Sequence, residues 1–96
     1  MQIAILGATG RMGRALIRLI AESEDLELGA AATEAGDELV GWDAGACAGL
    51  GELGITITSD VARAIETAAV AIDFTVANAV AENLAACVEQ RVPIVI

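Results

Sequence analysis

The sequence predicts one α/β domain built on an open, doubly wound parallel sheet of about five strands, in three layers. Three observations predict it. Short apolar runs alternate with stripes of helical period along the whole chain. The first run, Ile3 to Leu6, passes directly into Gly7-Ala-Thr-Gly-Arg-Met-Gly13, and a helical pattern begins at once. The length, 96 residues, admits one small domain.

Ile3 to Leu6 is apolar at every position, as expected of a strand buried on both faces. The glycine turn follows, and then a helix from about Arg11 to Ser23. Its expected apolar stripe is Met12, Ala15, Leu16, Leu19 and Ile20. Arg14 and Arg18 fall off that stripe and are expected in solvent, whereas Arg11 falls in the turn nearest the glycines. Leu26 to Ala32 reads as the second strand, ending near Thr33-Glu34. Residues 36 to 54 hold six glycines and read as a long, irregular segment, functional or mobile, with room for a short helical turn. Ile55 to Thr58 is a short third strand. Ser59 and Asp60 are cap residues for a short helix through Glu66. Ala69 to Phe74 is the fourth strand, and Thr75 is placed to cap the next helix, which runs to about Gln90. The stripe expected there is Ala77, Val80, Ala81, Leu84, Ala85 and Val88. Pro93 to Ile96 begins a fifth strand. Parallel strands joined by right-handed crossovers then give the spatial order 3-2-1-4-5, a Rossmann-type sheet.

Strand, glycine turn and helix in that order make a phosphate site. The turn must be tight, the backbone must approach a pyrophosphate, and the helix must pack closely on the strand. The helix N-terminus supplies unpaired N–H groups and positive dipole charge. Gly7-x-x-Gly10-x-x-Gly13 departs from the usual G-x-G-x-x-G in that Ala8 stands at the first glycine and Gly7 comes one residue earlier. Gly7, Ala8, Thr9, Gly10, Arg11, Met12 and Gly13 are the candidate pyrophosphate residues. A carboxylate about 20 residues past such a turn, at the end of the second strand, binds the adenosine ribose in dinucleotide folds. Glu34, 21 residues past Gly13, stands there. Ala35, Gly36 and Asp37 follow it, with no arginine to clamp a 2′-phosphate, which favours NADH or weak discrimination against NADPH. Phe74 and Thr75 end the fourth strand and are expected to line the cleft at the switch point, with core packing the alternative for Phe74; Asp73 is expected to cap or orient backbone.

Composition sets the exclusions. The net charge is −9, the five basic residues are all arginine, and neither nucleic acid nor an anionic membrane is an expected partner. Twenty-one alanines suit close helix-on-sheet packing. No apolar run is long enough to span a membrane, no signal peptide is read, and a cytoplasmic location is expected. Cys47 and Cys87 show no metal-ligand spacing, and Cys87 reads as a buried thiol. The chain holds no histidine and no lysine. It therefore offers no catalytic residue for hydride chemistry, which needs a proton source and a substrate clamp.

Three blocks together resemble one family: Gly7-Ala-Thr-Gly-Arg-Met-Gly-Arg14, Gly41-Trp-Asp-Ala-Gly45 and Ile72-Asp-Phe-Thr75. They are similar, in order and spacing, to the N-terminal domain of the dihydrodipicolinate reductases of bacterial lysine and diaminopimelate synthesis. The resemblance implies that residues 1–96 are an NAD(P)-binding domain and that NADH or NADPH is the cofactor. It implies that Gly7 to Met12 wrap the pyrophosphate and that Phe74 and Thr75 approach the nicotinamide. Glu34 is implied at the ribose, with Thr33 competing for that position. It further implies a C-terminal substrate domain absent from this chain, hydride transfer to a cyclic imine-type dicarboxylate, and a homotetrameric whole protein. The fragment alone is expected to be inactive. Two alternatives remain at this point: an atypical short-chain dehydrogenase, and a redox-sensing NAD(P) module without catalysis.

Overall fold

A computed structural model describes residues 1–75 and 77–96. Among the described residues, five strands alternate with four helices: β1 (Gln2–Leu6), α1 (Arg11–Glu22), β2 (Glu27–Ala32), α2 (Ala44–Cys47), β3 (Ile57–Thr58), α3 (Val61–Ala64), β4 (Val70–Asp73), α4 (Ala77–Gln90) and β5 (Ile94–Val95). All pair in parallel, in the order β3-β2-β1-β4-β5. Fold class, strand order and the number of strands are as the apolar runs predict.

The alternation along β1 divides the core. Ile3 and Ile5 face one layer with Ile17 and Ile20 of α1 and Ala44 of α2. Ala4 and Leu6 face the other with Ala64 of α3 and Cys87 of α4. The second layer is lined largely by alanine. The register of β1 on β2 slips between Ile3 and Ala4, where Gly29 is the extra residue on β2.

Two expected stripes are rotated. In α1 the buried residues are Gly13, Ile17 and Ile20, with Leu16 packed beside them, whereas Met12 and Leu19 are exposed. The cause lies at Gly13, where an added Cβ would run into the carbonyl oxygen of Gly7. That close approach fixes which line of the helix meets the sheet. Arg18 is also more than a solvated cation: its guanidinium donates to the Ala48 carbonyl at 3.2 Å and ties α1 to the end of α2. In α4, Asn83 and Cys87 are buried, while Ala81, Leu84, Ala85 and Val88 are exposed. A polar contact from Asn83 to β4, described below, turns the helix that way. The Ala77 side chain of the expected stripe lies outside the described residues. So does Val76, the position before α4, where the cap expected of Thr75 would act.

The glycine-rich segment is ordered around Asp43. Its Oδ1 accepts from the N–H groups of Gly45 (2.8 Å), Ala46 (3.0 Å) and Leu53 (2.9 Å), and its Oδ2 from Gly54 (2.8 Å). A Cβ on Gly45 would collide with the Gly51 carbonyl and the Leu53 side chain. The Leu53 N–H, ahead of the other donors, holds the Asp43 carboxyl below the ordinary carboxylate range, against a smaller opposing effect of desolvation. The segment then lies along β3: Gly41 N–H donates to Ile57 O and Ile57 N–H to Trp42 O, both at 2.8 Å. This covers a sheet edge that would otherwise expose unpaired backbone groups. The block Gly41 to Gly45 is therefore architectural.

Candidate functional site

The carboxyl ends of β1, β2, β3 and β4 converge on one cleft of about 410 Å³. Such a cleft beside the switch point, here between β1 and β4, is where open α/β sheets bind ligands.

Its floor is the glycine loop, pinned to β2 by hydrogen bonds from Gly7 N and Ala8 N to Ala32 O at 2.9 and 3.0 Å. The three glycines do different work. Gly7 has φ +84°, and a Cβ there would lie 2.9 Å from the Phe74 carbonyl carbon. It makes the turn and lets the ends of β1 and β4 approach. Gly13 brings α1 onto the loop. Gly10 meets nothing closer than 3.6 Å and lines the cleft, so its missing side chain leaves room for a ligand. Gly10 is also the N-cap of α1. No side chain caps that terminus, and no acidic residue lies in the first turn. The N–H groups of Arg11, Met12 and Gly13 have no intrahelical acceptor, as in the first turn of any helix. An anion above Gly10 would satisfy them and the helix dipole together.

The cleft is lined by Gly7, Thr9 and Gly10 from the loop, Thr33, Glu34 and Asp37 beyond β2, and Phe74 and Thr75 beyond β4. Of the sequence-predicted residues, Ala8 and Gly13 are buried beneath the loop, and Arg11 and Met12 are exposed in the first turn outside the cleft wall. Glu34 is exposed at the rim and Phe74 is 41% exposed, so Phe74 belongs to the wall and not to the core.

Three wall residues were not singled out from the sequence. Asp37 accepts at Oδ2 from the Thr9 and Thr33 hydroxyls, at 2.7 and 2.8 Å, and at Oδ1 from Leu39 N–H at 2.8 Å. The Leu39 N–H first, and then the two hydroxyls, hold its carboxyl below the ordinary range. Asn83 reaches the wall from α4, and Glu82 stands beside it. Asn83 carries a faint signal, an amide four residues before Cys87 and so on the same helix line. Asp37 has none, because a loop aspartate three residues past an expected ligand looks like solvated surface. The wall carries three carboxylates, Glu34, Asp37 and Glu82, and no cation among the described residues.

Beneath the wall, Asp73 is 3% exposed, and Thr75 donates to its Oδ1 from both N–H, at 2.7 Å, and hydroxyl. This arrangement orients Thr75, as expected of Asp73. Cys87 lies in the same layer, where burial first and the Asp73 charge second push its thiol up, so it stays protonated and unreactive. Among the described residues no cluster of His, Cys, Asp and Glu is arranged to hold a metal ion, and no helix is long and apolar enough to cross a membrane.

The whole chain, residues 1–96, matches the family model described as dihydrodipicolinate reductase, N-terminus. The chain belongs to the dihydrodipicolinate reductase family. It is 43% identical over 95 residues to the 4-hydroxy-tetrahydrodipicolinate reductases of Pseudoalteromonas atlantica and Hahella chejuensis, which covers 99% of this chain and 36% of each relative. It is 46% identical over 86 residues to that of Alkalilimnicola ehrlichii, covering 90% of this chain and 32% of the relative. The chain thus spans about a third of the length of the reductases it matches. These matches do not favour the short-chain dehydrogenase or the redox-module alternative.

Proposed function

We propose that this chain is the NAD(P)H-binding domain of a reductase that delivers hydride to a cyclic, imine-type dicarboxylate. The uncapped N-terminus of α1 above an open Gly10 carries the reading, because it is built to receive a pyrophosphate. The residues present fit a dinucleotide. The loop from Gly7 to Gly13 offers the two phosphates the free N–H groups of the first helical turn, Gly13 included, while the Gly7 and Ala8 N–H groups stay on Ala32 O and the Gly10 N–H on Gly7 O. Ala8 and Gly13 also act by packing. Arg11 and Met12 contribute first-turn N–H groups. Glu34 stands at the rim on the ribose side, and Phe74 and Thr75 flank the nicotinamide side. When bound, the dinucleotide supplies the hydride. This chain's residues bind and orient it, and they hold neither histidine nor lysine to deliver a proton or clamp a carboxylate. Those tasks fall to the rest of the protein, for which the reading carries over the homotetramer and cytoplasmic location implied by the resemblance.

NADH is the favoured form, since a 2′-phosphate would meet three carboxylates and no cation on the cleft wall. Calorimetric titration of the 96-residue chain with NADH and NADPH tests the reading. Saturable binding of NADH, weakened by added pyrophosphate, supports it. Failure of both dinucleotides to bind overturns it.

A further inference from the structure

Resting on the dinucleotide reading above, we infer that Asp37, held by Thr9 and Thr33, reads the 2′-position of the adenosine ribose and selects the unphosphorylated dinucleotide. Glu34, the carboxylate at the conventional spacing, is exposed at the rim. Thr33, which follows the end of β2 beside it, is 7% exposed and turns its hydroxyl to Asp37. Two carboxylates therefore line this corner of the cleft, Glu34 and Asp37, and Asp37, three residues further along, is the one held in place by hydrogen bonds.

The proton inventory gives this corner its selectivity. Thr9 Oγ1 and Thr33 Oγ1 lie 3.1 Å apart, and both lie within hydrogen-bond distance of Asp37 Oδ2. Each hydroxyl carries one proton, and the carboxylate carries none. When both protons point to Oδ2, the three side chains present only lone pairs to the cleft. A ribose diol offers two O–H donors and matches such a surface. A 2′-phosphate offers acceptors and negative charge, so it finds neither a donor nor a counter-ion here. The Leu39 N–H fixes the other carboxylate oxygen, so the charge is held in place. Because Thr9 sits between Gly7 and Gly10, the same contacts register the ribose corner against the phosphate loop. Asp37 is thus a specificity residue for the cofactor.

Asp37→Asn and Glu34→Gln each remove one charge from the same wall and keep the side-chain shape, so comparing them separates position from net charge. Affinities for NADH and NADPH are measured by calorimetry on variants with the circular dichroism of the parent chain. The expected result is at least tenfold preference for NADH in the parent chain, reduced about tenfold in Asp37→Asn and less than threefold in Glu34→Gln. Equal effects of the two variants, or a larger effect of Glu34→Gln, overturn the inference while leaving dinucleotide binding intact. If neither dinucleotide binds the parent chain, the underlying reading fails instead, and this inference falls with it. Should Asp37→Asn not fold, Thr33→Val removes one of the two hydroxyls that hold the intact carboxylate. A narrowed NADH preference in that variant supports the inference, and an unchanged preference overturns it.

Discussion

Asn83 donates from Nδ2 to the Oδ2 of Asp73 at 3.0 Å, across the interface between α4 and the sheet. Both side chains are almost fully buried, and the same amide nitrogen lies 3.2 Å from Thr75 Oγ1. A buried carboxylate without a cation is costly unless its lone pairs are filled. Here the N–H and hydroxyl of Thr75 fill one oxygen, and Asn83 fills the other. This contact turns α4 so that an amide, not the Leu84–Val88 line, meets β4. It also fixes Thr75 at the cleft wall.

Asn83→Ala removes the donor and leaves Asp73 Oδ2 unpaired. The expected cost is about 1–3 kcal/mol, the penalty for an unsatisfied buried group. Urea unfolding measures it. An unchanged midpoint would show that water takes over the contact and that Asn83 does not orient the helix.

The three glycines should separate by experiment. Gly7→Ala forces a side chain into a left-handed backbone conformation and against the Phe74 carbonyl, and Gly13→Ala drives α1 off the loop. Both should lower the melting temperature sharply. Gly10→Val has extended backbone at φ −73° and room for a Cβ. It should melt like the parent chain and lose NADH affinity by calorimetry. Retained affinity in a folded Gly10→Val chain would remove the phosphate-loop assignment.

The rotation of α1 makes a second stability test. Ile17 is fully buried and Leu19 is 63% exposed. Ile17→Ala should cost about 2–5 kcal/mol through lost burial and a residual cavity. Leu19→Ala should stay within about 0.5 kcal/mol, as surface substitutions do. Comparable losses at the two positions would return the helix to the stripe that hydropathy alone suggests.

These rotations mark where sequence reasoning stops. The strands, their order and the glycine turn were legible, because apolar runs and backbone-demanding glycines are local signals. The helix faces were only partly so. Leucine, methionine and valine line up on both long helices, but two specific contacts override that pattern: Gly13 against Gly7, and Asn83 against Asp73. The role of Gly41 to Gly45 was hidden for a similar reason. Asp43 gathers N–H groups from residues up to 11 positions away, and no periodicity reports that. Asp37 was hidden because its partners, Thr9 and Thr33, come from separate turns.

The Asp43 contacts carry a pH dependence whose sign is fixed. Its folded carboxyl titrates below the unfolded value, chiefly because Leu53 N–H donates to it. The charged form is therefore favoured by folding, and the unfolded chain binds the proton first as pH falls. The stabilisation is fully present above the unfolded value of about 3.9 and drains away as pH drops through the lower folded value. Asp43→Asn keeps the shape but never the charge. It should be less stable than the parent chain at pH 7, and the gap should begin to narrow below about pH 4, where the unfolded carboxyl takes up its proton, and go on narrowing as pH falls towards the lower folded value. Urea midpoints at pH 7, 5 and 3 test this. Amide exchange at Gly54 should quicken in the variant at neutral pH, since its acceptor, Oδ2, becomes an amide NH2 when the amide oxygen stays with the three donors on Oδ1. A gap that stays constant from pH 7 to pH 3 would mean that the lost second acceptor oxygen, and not the lost charge, destabilises the variant.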